Sequence, residues 1–299
     1  MRGEAGRRLG HRPVRHSSEG VSNGVGVRIA DIPDSLLAEI DSSLQNYFLP
    51  IIGRDDGRCA EPLTLIGSGT LVRIDSSYHI LTAAHVWDAT KLFPAISLPL
   101  GSRRSWLSIP CNYIAARELR GAGSEDSGPD LALLAIPAPF VSQIRAHKSA
   151  LDLSQQRSKF LADPSHRDSA LWAVTGMVEG FSSFQEHLAE GSIEAQVHAR
   201  SFFGGIDGTH ERDGYDYLDA GVDMGLAGVP TSFGGLSGGP LWQIVLSMNR
   251  TRQIFWNGKK YVQGVAFWQS AIQEKRRVIR CHGPKSVFEK AWQEWGLPN

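Results

Sequence analysis

From residue 63 onward, short apolar runs alternate with turn-rich polar pieces, a rhythm that predicts β-strands. A first set comprises "LTLIGSGTLVRI" (63–74), "YHILTAAHV" (78–86), "AISLPLG" (95–101), "WLSIPCNYIAA" (106–116) and "LALLAI" (131–136). Pieces such as "GRDDGR" and "GAGSEDSGPD" punctuate it. A second set comprises "ALWAVTGMV" (170–178), "SIEAQVHARSFF" (192–203), "YDYLDAG" (215–221), "GPLWQIVL" (239–246), "RQIFWNG" (252–258), "KYVQGVAFW" (260–268) and "RVIRCHG" (277–283). Residues 141–168 between them are polar and mixed, and read as a linker with a short helix near its start.

The period changes at both ends. Leu36, Leu37, Ile40, Leu44 and Phe48 fall at helical spacing, so 31–48 reads as a helix with Asp31 or Asp34 as a cap. At the other end Pro284 suits a first turn, and Val287, Ala291, Trp292 and Trp295 share one face, giving a helix over 284–299. The expected organisation is a basic tail (1–30), an N-terminal helix (31–48), a first β unit (49–140), the linker (141–168), a second β unit (169–283) and a C-terminal helix (284–299). Each β unit is long enough to close a small barrel, so the class is all-β.

Composition adds exclusions. The 31 basic and 31 acidic residues balance, which argues against nucleic-acid binding driven by counterion release. No apolar run approaches the ~20 residues that span a bilayer. The three cysteines, Cys59, Cys111 and Cys281, are odd in number and match no metal motif. A reducing, cytoplasmic setting is therefore expected. The basic, Gly-rich "MRGEAGRRLGHRPVRHSSEG" lacks the apolar core of a secretory signal and reads as disordered.

One stretch points to chemistry. "GGLSGGPLW" (234–242) sets Ser237 among four glycines, a composition that marks a tightly approached backbone. A serine becomes a nucleophile only beside a base, usually His, steadied by a carboxylate. His85 ends the run "ILTAAH", where small neighbours allow close approach. Asp130 opens the strongly apolar "DLALLAI" and is expected to be partly buried, so it needs partners. Singly, His85 reads as a structural histidine, Asp130 as a turn cap and Ser237 as part of a turn; together they suggest a cleft between the two halves.

The blocks "GSGTLVRI…YHILTAAHV", "DLALLAI", "GGLSGGPLW" and "GVAFW" resemble those of trypsin-like serine proteases. That resemblance covers roughly 49–296 and implies two six-stranded antiparallel β-barrels of the chymotrypsin type. It implies a general base at His85, an orienting acid at Asp130 and a nucleophile at Ser237, with the N–H groups of Gly235 and Ser237 as oxyanion hole. It also places Thr231 near the floor of a specificity pocket and sets Phe267 and Trp268 beside the cleft, where the backbone near Phe267 would pair with an extended peptide; core packing is the alternative for these rings, and one of the two is expected to take it. The substrate would be a protein or peptide, and the mechanism calls for no cofactor and no metal.

Leu236 departs from the secreted, proteolytically activated members, which carry an aspartate there for an ion pair with a new N-terminus. The chain resembles intracellular and bacterial members more, including the HtrA type. Its hole is expected to be ordered by other means, a partner protein or the N-terminal helix. A neutral Thr231 argues against an Arg/Lys preference, and a small or medium apolar residue before the scissile bond is the default. Arg277 or His282 could reach the pocket from the "RRVIRCHG" strand and favour an acidic residue there, but Arg277 is read as solvated, His282 as structural, and Cys281 as a buried structural thiol.

Two alternatives stand beside this. "GLSGG" also fits the nucleophile elbow of α/β-hydrolases, serine hydrolases or esterases. There the acid and histidine follow the serine, whereas here only His282 follows, with Glu274 between. A catalytically silent, peptide-binding module would be expected to have lost one of the three side chains, and none is replaced.

Overall fold

The computed structural model describes residues 14–15, 28–54, 63–101, 106–121, 128–163, 171–187, 192–226 and 228–298. In the front half, β2 (Phe48–Arg54), β3 (Leu63–Ile74), β4 (Ser77–Thr82), β5 (Ala95–Pro99), β6 (Trp106–Pro110), β7 (Ala115–Arg120) and β8 (Asp130–Ala135) form one sheet in the order β6-β5-β2-β3-β4-β8-β7. The short β9 (Leu151–Asp152) pairs in parallel with β3. In the rear half, β10 (Leu171–Met177), β13 (Ala199–Gly204), β14 (Ile206–Arg212), β15 (Tyr215–Asp223), β16 (Pro240–Met248), β17 (Ile254–Gln269) and β18 (Arg276–His282) form the second, in the order β13-β10-β16-β17-β18-β15-β14. β1 (Val14–Arg15) joins it in parallel beyond β13, and β11 (Ser183–His187) with β12 (Ser192–Gln196) makes a separate hairpin.

The protein is mainly β, with two largely antiparallel sheets, as the alternation predicts. Each sheet has eight strands rather than six, and no described pairing joins its ends. Strands β6 and β7 nevertheless follow one another in the chain across four residues, and β13 and β14 across Gly205 alone. Such short links hold these strands close in space, so each sheet curls back on itself.

Several boundaries move. The N-terminal helix, α1, is Asp34–Gln45; its predicted end is instead the start of β2, an unpredicted strand buried over six of its seven residues. The run 78–86 is not one strand. It ends at Thr82, and α2 (Ala84–Thr90) follows, with its Ala84 and Val86 and the preceding Ala83 fully buried. The linker is built from α3 (Ala138–Arg145), β9 and α4 (Leu153–Ala162), which Asp152 caps by accepting from the Gln155 N–H. The runs 252–258 and 260–268 form the single strand β17, with Gly258 at φ +85° where the pairing shifts. At the C-terminus, a π-helical Ser286–Ala291 leads into α5 (Trp292–Glu294). Of the predicted tail, only 14–15 and 28–30 are described, and the rest lies outside the described residues, as does Cys59. No described helix is long and apolar enough to cross a membrane.

The core fuses the halves. Leu131 and Leu133 of β8 pack in one cluster with Trp242 and Ile244 of β16, under α1 and the C-terminal helix. The alternate residues of β8, Ala132 and Leu134, face a front cluster containing Val86 and Trp87 of α2. This period-2 division puts Asp130 on the α2 side of its strand.

Candidate active site

Asp130 and His85 meet at the start of α2. The backbone N–H of His85 donates to Asp130 Oδ1 at 2.8 Å, and His85 Nδ1 contacts Asp130 Oδ2. A carboxylate only accepts, so the Nδ1 proton points at Asp130 and Nε2 keeps its lone pair. The His85 side chain is 47 % exposed and that of Asp130 17 %. Burial raises the Asp130 pKa, but hydrogen bonding and charge from His85 outweigh it and leave the carboxyl below its ordinary value. The acid is thus ionised and partly buried with a partner.

Behind Asp130 stands His282, a contact the sequence does not announce. The Asp130 N–H donates to His282 Nε2 at 3.0 Å, so the His282 proton sits on Nδ1, which is buried without a partner among the described residues. The ring stacks on Phe267 with centroids 4.3 Å apart. Burial depresses its pKa to about 3. Tyr217, also against His282, donates its hydroxyl to the Gly128 carbonyl at 2.6 Å, two residues before Asp130. His282 is structural, as expected, and it supports the acid.

The sign of its titration follows. Below about pH 6.5 the unfolded chain protonates this imidazole while the folded chain resists until about pH 3. The unfolded state then binds more protons, and stability falls as pH drops through that window, by up to about 1.4 kcal/mol per pH unit. His79, also depressed by burial, acts in the same direction. Replacing His282 with Gln keeps an acceptor for Asp130 and should flatten the urea-midpoint dependence between pH 6 and 5; an unchanged slope would contradict the assignment.

Ser237 reaches this corner through β3. The Ser68 N–H donates to the Ser237 carbonyl at 2.8 Å, and Ser68 Oγ donates to the Gly235 carbonyl at 2.7 Å while accepting from the Met177 N–H at 3.0 Å. Thr82 Oγ1, three residues before His85, donates to the Ser68 carbonyl at 2.7 Å. Ser68 is fully buried. A methyl group built on Gly67 would lie 2.7 Å from Val86 and 2.9 Å from the Ser237 carbonyl. The residue after His85 and the serine turn therefore close on one absent side chain. Ser237 Oγ makes no hydrogen bond to His85 in this arrangement, and catalytic hydrogen bonds are commonly long before substrate binds.

The turn has two distinctive donors. Gly235 has φ +87°, a conformation glycine adopts without steric penalty. The Gly238 N–H donates to the Ala266 carbonyl at 2.7 Å and the Gly239 N–H to the Leu236 carbonyl at 2.9 Å. The N–H groups of Gly235 and Ser237 have no acceptor among the described residues. Leu236 packs into the rear core, 2 % exposed beside Phe233. Ser68 ties the turn at two points, through its N–H to the Ser237 carbonyl and its hydroxyl to the Gly235 carbonyl.

Three other expectations change. Thr231 is exposed on a turn, so it is not the floor of an enclosed pocket. Phe267 is 4 % exposed and wedged against His282 and Tyr217; its ring packs between the halves rather than flanking a cleft. Trp268 is partly buried under the Arg280 guanidinium, 5.0 Å from the ring centroid. Arg277 is only partly solvated: its side chain donates from Nη1 to Gln269 Oε1 at 2.6 Å and has a buried Nε. Cys281 is fully buried, and burial raises its thiol pKa far above the ordinary value. The chain matches no protein-family model and no curated protein.

Proposed function

We propose that the chain is a serine endopeptidase of the trypsin-like kind, cleaving peptide bonds through an acyl-enzyme on Ser237. The observation that carries this is the corner itself. His85 is fixed by Asp130 through two contacts, and the turn bearing Ser237 is tied by Ser68 to the strand pair β3–β4, which ends at Thr82, three residues before His85. In this reading the two curled sheets are the two barrels of that fold.

His85 Nε2 takes the Ser237 proton as Oγ attacks the scissile carbonyl, then gives it to the leaving amine. Asp130 stabilises the imidazolium formed in between, and its depressed pKa keeps it ionised for that role. The free N–H groups of Gly235 and Ser237 receive the oxyanion. On the side of the serine turn, the last backbone bonds to β17 are those of Ala266 with Gly238 and Gly239, so from Phe267 to Gln269 the edge of β17 facing away from β18 is where an extended peptide would pair. Ser68 takes the place of the ion pair that Leu236 cannot make. The unpaired Cys111 and Cys281 suit a cytoplasmic setting.

Substituting Ser68 with Ala should lower kcat about ten-fold or more with little change in KM, since the turn that aims Gly235 loses its tether. It also strands the Met177 N–H, lowering stability by about 1–3 kcal/mol. Unchanged kcat would remove Ser68 from the account. The function itself is tested by incubating the protein with a peptide library, with Ser237→Ala as control. Cleavage by the parent protein alone is expected; equal cleavage by both, or none by either, would contradict the reading.

A further inference from the structure

Three arginines lie on β18, and two have carboxylate partners. Arg276 bonds to Asp207 and Asp223, and Arg280 to Asp219. Arg277 has no carboxylate partner among the described residues. Its location makes that notable. Residues 277, 279 and 281 share a strand face, and Ile279 and Cys281 are buried with Phe233 and Leu236. Val222, opposite Arg277 in the pairing, belongs to the same cluster. Arg277 therefore sits at the end of the rear core, partly buried on the face that carries Ile279 and Cys281.

Two stretches of chain run from Ser237 towards that guanidinium. One is 233–237. The other is 266–269, joined to the residues just after Ser237 by the bonds of Ala266 with Gly238 and Gly239. Gln269 bridges their far end, its Oε1 accepting both from the Phe233 N–H at 3.0 Å and from Arg277 Nη1 at 2.6 Å. A neutral amide satisfies one donor of the fork but leaves the charge uncompensated, and the Nε–H has no partner among the described residues. A shielded charge without a counter-charge is unfavourable, and a guanidinium fork matches a carboxylate in shape and charge.

We propose that Arg277, backed by Gln269, selects substrates with an acidic side chain, Asp or Glu, immediately before the scissile bond. This rests on the proteolytic reading of Ser237, and it replaces the apolar preference expected from a neutral Thr231.

The test has two arms. In the first, fluorogenic peptides differ only in the residue before the leaving group. Glu should exceed Gln in kcat/KM by about ten-fold or more, and Arg277→Met should erase the difference while still cleaving the Gln peptide. Arg277→Lys, which keeps charge without the fork, should retain part of the preference. Equal rates for Glu and Gln in the parent protein overturn the proposal. The second arm needs no turnover. Ser237→Ala should bind a Glu-containing hexapeptide about ten-fold tighter than its Gln counterpart by calorimetry, and adding Arg277→Met should remove the difference. Equal binding, or no binding, overturns the acidic preference whatever is found at Ser237. Absence of turnover together with selective binding counts against the proteolytic reading alone.

Discussion

Replacing His85 with Ala should reduce kcat/KM for peptide cleavage by on the order of 10⁴-fold or more, with the fold unchanged. The two halves of that statement have separate grounds. The imidazole is 47 % exposed, so its removal opens no cavity. The hydrogen bond from the residue-85 backbone to Asp130 survives in the variant, and α2 keeps its anchors Val86 and Trp87. The catalytic loss is large because without a base the hydroxyl of Ser237 is a poor nucleophile. Thermal melts and steady-state kinetics on the same preparation check both. A variant that melts normally and cleaves at the parent rate would rule out His85 as the base.

Substituting Gly238 with Ala should be the most damaging single methyl addition at the site. The new Cβ would stand 2.0 Å from the Ser68 carbonyl oxygen and 2.1 Å from Thr82 Oγ1, at φ +85°. One is backbone and the other is hydrogen-bonded to it, so neither can swing away. Left-handed strain and overpacking together should lower stability by about 3 kcal/mol or more. Gly225 supplies the control, with the same φ of +85° and nothing within 4 Å of its added Cβ. Its Ala variant should lose only the strain contribution, about 1–2 kcal/mol. Equal losses in urea denaturation would mean that the seam between β3 and the serine turn is looser than described.

The parts legible in the sequence were those written in local pattern. Alternation located most strands, and the small residues before His85 and the glycines around Ser237 marked where backbones approach. Strand β2 escaped because Phe48 also fits the helical spacing of the preceding segment and Pro50 interrupts the β pattern. Helix α2 escaped because Ala83–Ala84 continue an apolar run without a polar cap to announce the change of period. Contacts between distant segments left little trace. Nothing local couples His282 to Asp130 or Ser68 to Gly235, 167 residues apart. Arg277 is different: the sequence offers it as a pocket residue, but a lone charge favours a solvated reading, and only the alternation Arg277–Ile279–Cys281 sets it on the same strand face as two buried residues.

The claim beneath all of this is that Ser237 is activated by His85. It is tested most directly by treating the protein with a fluorophosphonate probe and locating the adduct by intact-mass and peptide mass spectrometry. The account predicts one stoichiometric adduct on Ser237, absent in Ser237→Ala and strongly slowed in His85→Ala. A protein that takes up no probe, or takes it up equally fast without His85, would contradict it.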